Sequence, residues 1–210
     1  MVRSRPPPCD LLPYFFQEFT VDGKSYKLEY RNRMTEDLSG STVFKASMEP
    51  MSQAGESRVV AVRFTDSYCE AAHRLLAEIS LAPRLWYCGQ FGDFRMYVVV
   101  MDLVSGEYIE VPCQDQRFAS QLQTAIQTLH NMNFVHGDLR EPSILVTENG
   151  DMKIIGFDWC GKDGEAHYPP HINLEAGWDP DVTGGGLMRK DHDRLMYFRL
   201  TGLEWSEGEV

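Results

Sequence analysis

The chain has 210 residues, enough for one sizeable domain with its own core or for two small lobes. Hydrophobic residues make up 43% and charged residues 24%, a balance that excludes a disordered chain. Twenty Lys and Arg against 31 Asp and Glu leave a formal charge of -11, which repels phosphate backbones and anionic lipid and so speaks against nucleic-acid and membrane partners.

The first residues, Met1-Val-Arg-Ser-Arg-Pro-Pro-Pro8, carry two positive charges but no apolar stretch of signal-peptide length, and residues 1–13 read as a Pro-rich tail. Tyr26-Lys-Leu-Glu-Tyr30 and, more roughly, Thr42-Val-Phe-Lys-Ala46 alternate with period two, as half-buried strands do. A polar stretch follows from Met48, and Arg58-Val-Val-Ala-Val-Arg-Phe64 reads as a third strand. From Tyr68 to Ile79 the spacing turns helical, with Ala72, Leu75, Leu76 and Ile79 on one side and Pro83 as the stop.

Two apolar runs come next, Arg84–Cys88 and the valine-dense Met96–Met101, and then a second helix over Gln116–Asn131. Ile144-Leu-Val146 and Met152-Lys-Ile-Ile155 form a short hairpin around Glu148-Asn-Gly-Asp151. Strands, helix, strands and then a mostly helical half predict an α+β protein. Its domains are a tail (1–13), a β-rich N-lobe with one helix (14–104) and a mostly helical C-lobe (105–210).

Cys9, Cys69, Cys88, Cys113 and Cys160 are scattered and form no C-x-x-C pair, so they read as reduced thiols of a cytoplasmic or nuclear protein that is not secreted. No segment approaches the run of about 18 to 20 apolar residues that spans a bilayer.

Five segments carry the chemistry: His136-Gly-Asp-Leu-Arg-Glu-Pro-Ser143, between the second helix and the hairpin; Lys153-Ile-Ile-Gly-Phe-Asp-Trp-Cys-Gly161, just after it; Val60-Ala-Val-Arg63; Glu36-Asp-Leu-Ser-Gly-Ser-Thr-Val43; and Val98-Val-Val-Met-Asp-Leu-Val104. In this order they resemble the protein-kinase-like superfamily, whose members carry H-R-D-L-x-x-x-N, D-F-G, V-A-I-K and a glycine-rich loop. The likeness extends to short fungal kinase-like proteins related to aminoglycoside and choline kinases. It rests there on Val62-Arg-Phe64, His73-Arg-Leu-Leu-Ala-Glu78, Ala82-Pro-Arg-Leu85, His136-Gly-Asp-Leu-Arg140 and Gly184-Gly-Gly-Leu-Met-Arg-Lys-Asp-His-Asp193.

The resemblance implies a two-lobed kinase-like fold with a C-lobe that ends short of the last helices of a full kinase. It makes Asp138 the catalytic Asp, with Arg140 beside it, and Asp193 the buried Asp that braces this loop from a helix. A degenerate ATP site would comprise Arg63 in place of the phosphate lysine, Glu78 as its ion-pair partner, Met101 and Leu103 at the adenine hinge, and Ser143 in place of the metal-binding Asn. Gly156 falls where the metal-binding Asp of D-F-G stands. Asp158, two residues on, either substitutes as metal ligand or is a polar residue opening a loop. The glycine-rich segment has one glycine, Gly40, and two carboxylates, a poor cradle for phosphate.

Phosphoryl transfer depends on positioning and charge neutralisation, and one lost preorganised group costs on the order of 3 kcal/mol. With Arg63, Ser143 and Gly156 all changed, the expectation is a catalytically impaired domain, a pseudokinase. It would act as a regulatory or protein-binding module that requires no cofactor. The alternative is an active atypical phosphotransferase with Asp138 as base and Asp158 holding Mg2+ with ATP.

Overall fold

The period-two segments of the first half pair into one sheet. The computed structural model describes residues 13, 15–34, 42–52, 55–92, 96–173 and 177–206, so the Pro-rich tail over 1–12 and most of the glycine-poor segment, 36–41, lie outside the described residues. The chain divides into two compact units, one holding residues up to Asp66 together with Trp86–Leu103, the other Ser67–Leu85 together with Val104 onward.

In the first unit β1 (Glu18–Val21), β2 (Lys24–Arg33), β3 (Thr42–Pro50), β4 (Arg58–Thr65), β5 (Leu85–Phe91) and β6 (Met96–Asp102) make a six-stranded sheet in the order β1-β2-β3-β4-β6-β5. The pairs from β1 through β4 to β6 are antiparallel, and Arg63 of β4 lies opposite Val43 of β3 and Val99 of β6. Alternation decides the faces. Val60, Val62 and Phe64 join Phe16, Phe19, Leu28, Tyr30, Phe44, Val98 and Val100 in one buried cluster, while Ala61, Arg63 and Thr65 take the other face. Phe19 sits against Tyr26 and Tyr87 at centroid distances of 5.3 and 5.2 Å, so rings fill much of this small core.

The second unit contains β7 (Glu107–Tyr108), β8 (Phe134–Val135), β9 (Ile144–Val146), β10 (Met152–Ile154), β11 (Gly161–Lys162) and the helices α1 (Glu70–Glu78), α2 (Gln116–Asn131) and α3 (Lys190–Thr201). The helix α2 begins where Asp115 accepts the Phe118 amide proton at 2.8 Å, an N-cap that satisfies an otherwise orphaned donor. Its buried stripe of Phe118, Leu122, Ala125, Ile126 and Leu129 enters the unit's core, each large side chain contributing roughly 1.5–3 kcal/mol by leaving water. The hairpin β9–β10 forms in the register Ile144 to Ile154, and β8 pairs with β11. The fold is thus α+β, a sheet unit and a unit of helices joined by long irregular connections. Among the described residues no helix is long and apolar enough to cross a membrane.

Candidate functional site

The strand β8 delivers the chain to the loop His136–Ser143, and α3 holds that loop from beneath. Asp193, in the first turn of α3 and 1% exposed, accepts the His136 amide proton at 2.8 Å, the Gly137 amide proton at 3.0 Å and the His130 Nε2 proton at 3.1 Å. A buried carboxylate is tolerable only when its oxygens are bonded in this way. Asp193 is therefore the brace that the motif order implies, not part of a solvated charge run. Gly137 has φ of +77°, and a Cβ there would come within 2.9 Å of the Met188 sulfur. The loop geometry itself thus requires glycine where protein kinases carry arginine.

Above the brace stands a stack of rings. The His73 imidazole lies parallel to Phe157 at 4.8 Å, and the His136 ring meets Phe157 edge-on at 5.4 Å. Nε2 of His73 faces the Pro83 carbonyl at 2.8 Å, which only accepts, so the proton sits on Nε2 and Nδ1 accepts from the Tyr68 hydroxyl at 2.7 Å. Burial lowers His73 to about 4, with the Pro83 carbonyl opposing it. Burial also pushes His136 down, against the pull of Asp193, Asp138 and Asp158, and its Nδ1 takes the Asp138 amide proton at 3.3 Å.

Asp138 is gripped by Arg140, whose Nε donates to Oδ1 at 2.5 Å and Nη2 to Oδ2 at 3.3 Å. The guanidinium in turn lies over Trp178 at 5.3 Å and Trp159 at 5.9 Å, so cation–π attraction holds it in place. Burial raises Asp138, and Arg140 works against that rise. The Ser143 hydroxyl is 2.7 Å from the Asp138 carbonyl and 2.8 Å from that of Arg140, and it accepts the Arg140 amide proton at 3.1 Å. Its single proton serves one carbonyl at a time, and its lone pair serves the amide. This side chain fastens the loop.

A Cβ on Gly156 would meet the Ser143 Cβ at 3.6 Å and the Asp158 Oδ2 at 3.8 Å, both ordinary contacts. The positions of Ser143 and Gly156 are thus neighbours, with room for a side chain on the glycine, and the Asp158 carboxylate turns back toward that room. Ser67 holds this segment by donating to the Asp158 carbonyl at 2.5 Å. Among the described residues no group of three His, Cys, Asp or Glu side chains is arranged to hold a metal ion.

The remaining candidates are divided between the two units. Arg63, Met101 and Leu103 belong to the first unit, whereas Glu78 ends α1 in the second and is exposed. Met101 is a buried residue of β6, and the Leu103 amide reaches the Val59 carbonyl at 3.4 Å. Between them Asp102 accepts the Trp86 indole proton at 2.6 Å.

Comparison with known proteins bears on the fold. The chain is 30% identical over 107 residues to cAMP-dependent protein kinase type 3 of Saccharomyces cerevisiae, across 47% of this chain and 25% of the relative. It is 27% identical over 94 residues to the maternal embryonic leucine zipper kinase of Danio rerio, across 45% of this chain and 13% of the relative. The matched part thus spans a quarter or less of these relatives' length. Among solved structures, the kinase PK-1 of Cydia pomonella granulovirus superposes with a TM-score of 0.61 at 17% identity, over 85% of this chain and 69% of that one. No family model matches the chain. The fold is protein-kinase-like, and somewhat less than half of the chain is similar in sequence to parts of protein kinases.

Sequence reasoning did not foresee the Trp159–Arg140–Trp178 clamp or the paired His130 under the loop. The one available signal was His130 itself, six residues ahead of His136 on an amphipathic helix.

Proposed function

We propose that the chain is a catalytically impaired kinase-like domain, of the short fungal kind, that serves as a regulatory or protein-binding module in the cytoplasm or nucleus. The reading rests on a contrast at one loop. The brace from Asp193 is complete, while the positions from which a kinase grips magnesium hold a glycine and a serine whose hydroxyl is committed to loop carbonyls. Asp138, the proton-handling residue, is itself taken up by Arg140. Magnesium with ATP does not fit this donor set, because the paired side-chain ligands of a kinase are reduced to Asp158 alone. The braced loop then has value as a surface for a protein partner, with neither ATP nor Mg2+ required and with no nucleic-acid or membrane partner.

Thermal melting with ATP, with Mg2+ and with both tests the reading. The module reading predicts no stabilisation that requires the two together, and a rise of several degrees requiring both overturns it.

A second reading is favoured by one observation, the Asp158 Oδ2 only 3.8 Å from the Cβ position of Gly156. In it Asp158 supplies the lost carboxylate, Arg63 the phosphate contact and Asp138 the base of an atypical phosphotransferase acting on a protein or a small molecule. A magnesium-dependent shift that disappears in Asp158→Ala would support this reading over the first.

A further inference from the structure

The side chain of Arg140 makes only contacts that a guanidinium from another chain could make as well. Its Nε donates to Asp138 Oδ1 at 2.5 Å and its Nη2 to Oδ2 at 3.3 Å. Its guanidinium carbon lies 5.3 Å from the centre of the Trp178 ring and 5.9 Å from that of Trp159. A fork on a carboxylate and a flat cation against an indole both suit guanidinium better than ammonium.

The walls around this group are fixed by other contacts. The two indoles stand 5.6 Å apart at 39°, and Tyr168 closes on both, edge-on to Trp159 at 6.1 Å and tilted to Trp178 at 6.2 Å. Trp178 Nε1 donates to the Asn173 carbonyl at 2.8 Å, and the Tyr168 hydroxyl is bonded to His192 Nδ1 at 2.9 Å. The Arg140 backbone is pinned at both ends by Ser143, whose hydroxyl accepts its amide proton at 3.1 Å and whose amide donates to its carbonyl at 3.0 Å. The side chains of Arg140 and Asp138, by contrast, are 34% and 24% exposed. An ion pair partly open to water is weakly held, so the guanidinium can swing out while the carboxylate and the rings stay in place.

The surroundings attract a cation from outside. Glu141 and Asp181, close in the chain to Arg140 and Trp178, are both exposed, and the whole chain carries a formal charge of -11. We propose that Asp138, Trp159, Tyr168 and Trp178 form a receptor for an arginine side chain of a protein partner, whose guanidinium replaces that of Arg140. Arg140 is then a resident competitor that closes the receptor when the partner is away. The exchange gives up one forked, stacked guanidinium and remakes another, so the residues flanking the partner's arginine and the acidic surroundings decide it. The inference rests on the protein-binding reading above and names the chemistry of the partner.

The test titrates the peptide Gly-Gly-Arg-Gly-Gly, capped at both ends, into the full chain and into Arg140→Ala by calorimetry, with the lysine and citrulline peptides alongside. The wild-type chain should bind the arginine peptide in preference to both others. Arg140→Ala should bind it roughly tenfold more tightly, because a site open only about a tenth of the time loses apparent affinity by that fraction. Asp138→Asn, and Trp178→Leu as a second variant, should lose the preference, with folding checked by circular dichroism. Equal binding of the lysine peptide, or an undiminished preference in Asp138→Asn, overturns the proposal. So does binding by Arg140→Ala with none by the wild-type chain at millimolar peptide, which would make Arg140 a permanent occupant. Stabilisation requiring ATP and Mg2+ together would overturn the module reading alone, and the arginine preference stands or falls by the titration.

Discussion

Gly137 donates its amide proton to Asp193 at 3.0 Å while its own backbone sits at φ of +77°. The brace thus reaches the loop only through a residue whose conformation excludes most side chains. Gly137→Ala combines left-handed strain of roughly 1–2 kcal/mol with a contact at 2.9 Å to the Met188 sulfur. A destabilisation of about 2 kcal/mol is expected in urea unfolding, and a loss below about 0.5 kcal/mol would show that the loop relaxes without cost.

Asp193→Ala removes the acceptor of three buried donors, the His136 and Gly137 amides and His130 Nε2. Leaving buried donors unpaired is costly, so the expected loss is roughly 3 kcal/mol. It is read from the midpoint of chemical denaturation at unchanged m-value.

His73 is held neutral, its folded value about 4 against an ordinary 6.5. Between those values the unfolded chain binds the proton and the folded chain does not, so stability rises with pH across this window. Its contribution is fully present above pH 6.5 and is lost as pH falls toward 4, by at most roughly 3 kcal/mol. His136 is displaced in the same direction. Melting temperature against pH should therefore fall on the acid side, and His73→Gln should flatten that slope.

Ser143→Ala removes the hydroxyl that joins the Asp138 and Arg140 carbonyls to the Arg140 amide. A loss of about 1–2 kcal/mol in thermal or chemical denaturation is expected. No loss would mean that the loop is held by Asp193 alone.

Much of this was legible in local pattern. The span of α2 matches its apolar periodicity and its Asp115 cap, and the β9–β10 hairpin matches the turn at Asn149-Gly150, where Gly150 takes φ of +78°. The short strand β1 and the two-residue pair β8–β11 were not foreseen, since so few residues show no period. Asp193 was legible only through the order of motifs, because its own surroundings, Lys190-Asp-His-Asp-Arg194, read as a charged surface. The Arg140 clamp depends on Trp178, nearly forty residues on in the chain, and has no local signal. Gly137 carries part of the resemblance to the short fungal kinase-like proteins, and its backbone angle of +77° supplies a structural reason for it.

The central claim is that the metal grip is lost at Ser143 and Gly156. Its most direct measurement is a calorimetric titration of ATP, with and without magnesium, into the wild-type chain and into Ser143→Asn/Gly156→Asp, a pair for which the glycine site has room. The account predicts no magnesium-dependent binding by the wild type and its appearance in the double variant. Magnesium-dependent ATP binding by the wild-type chain would contradict it.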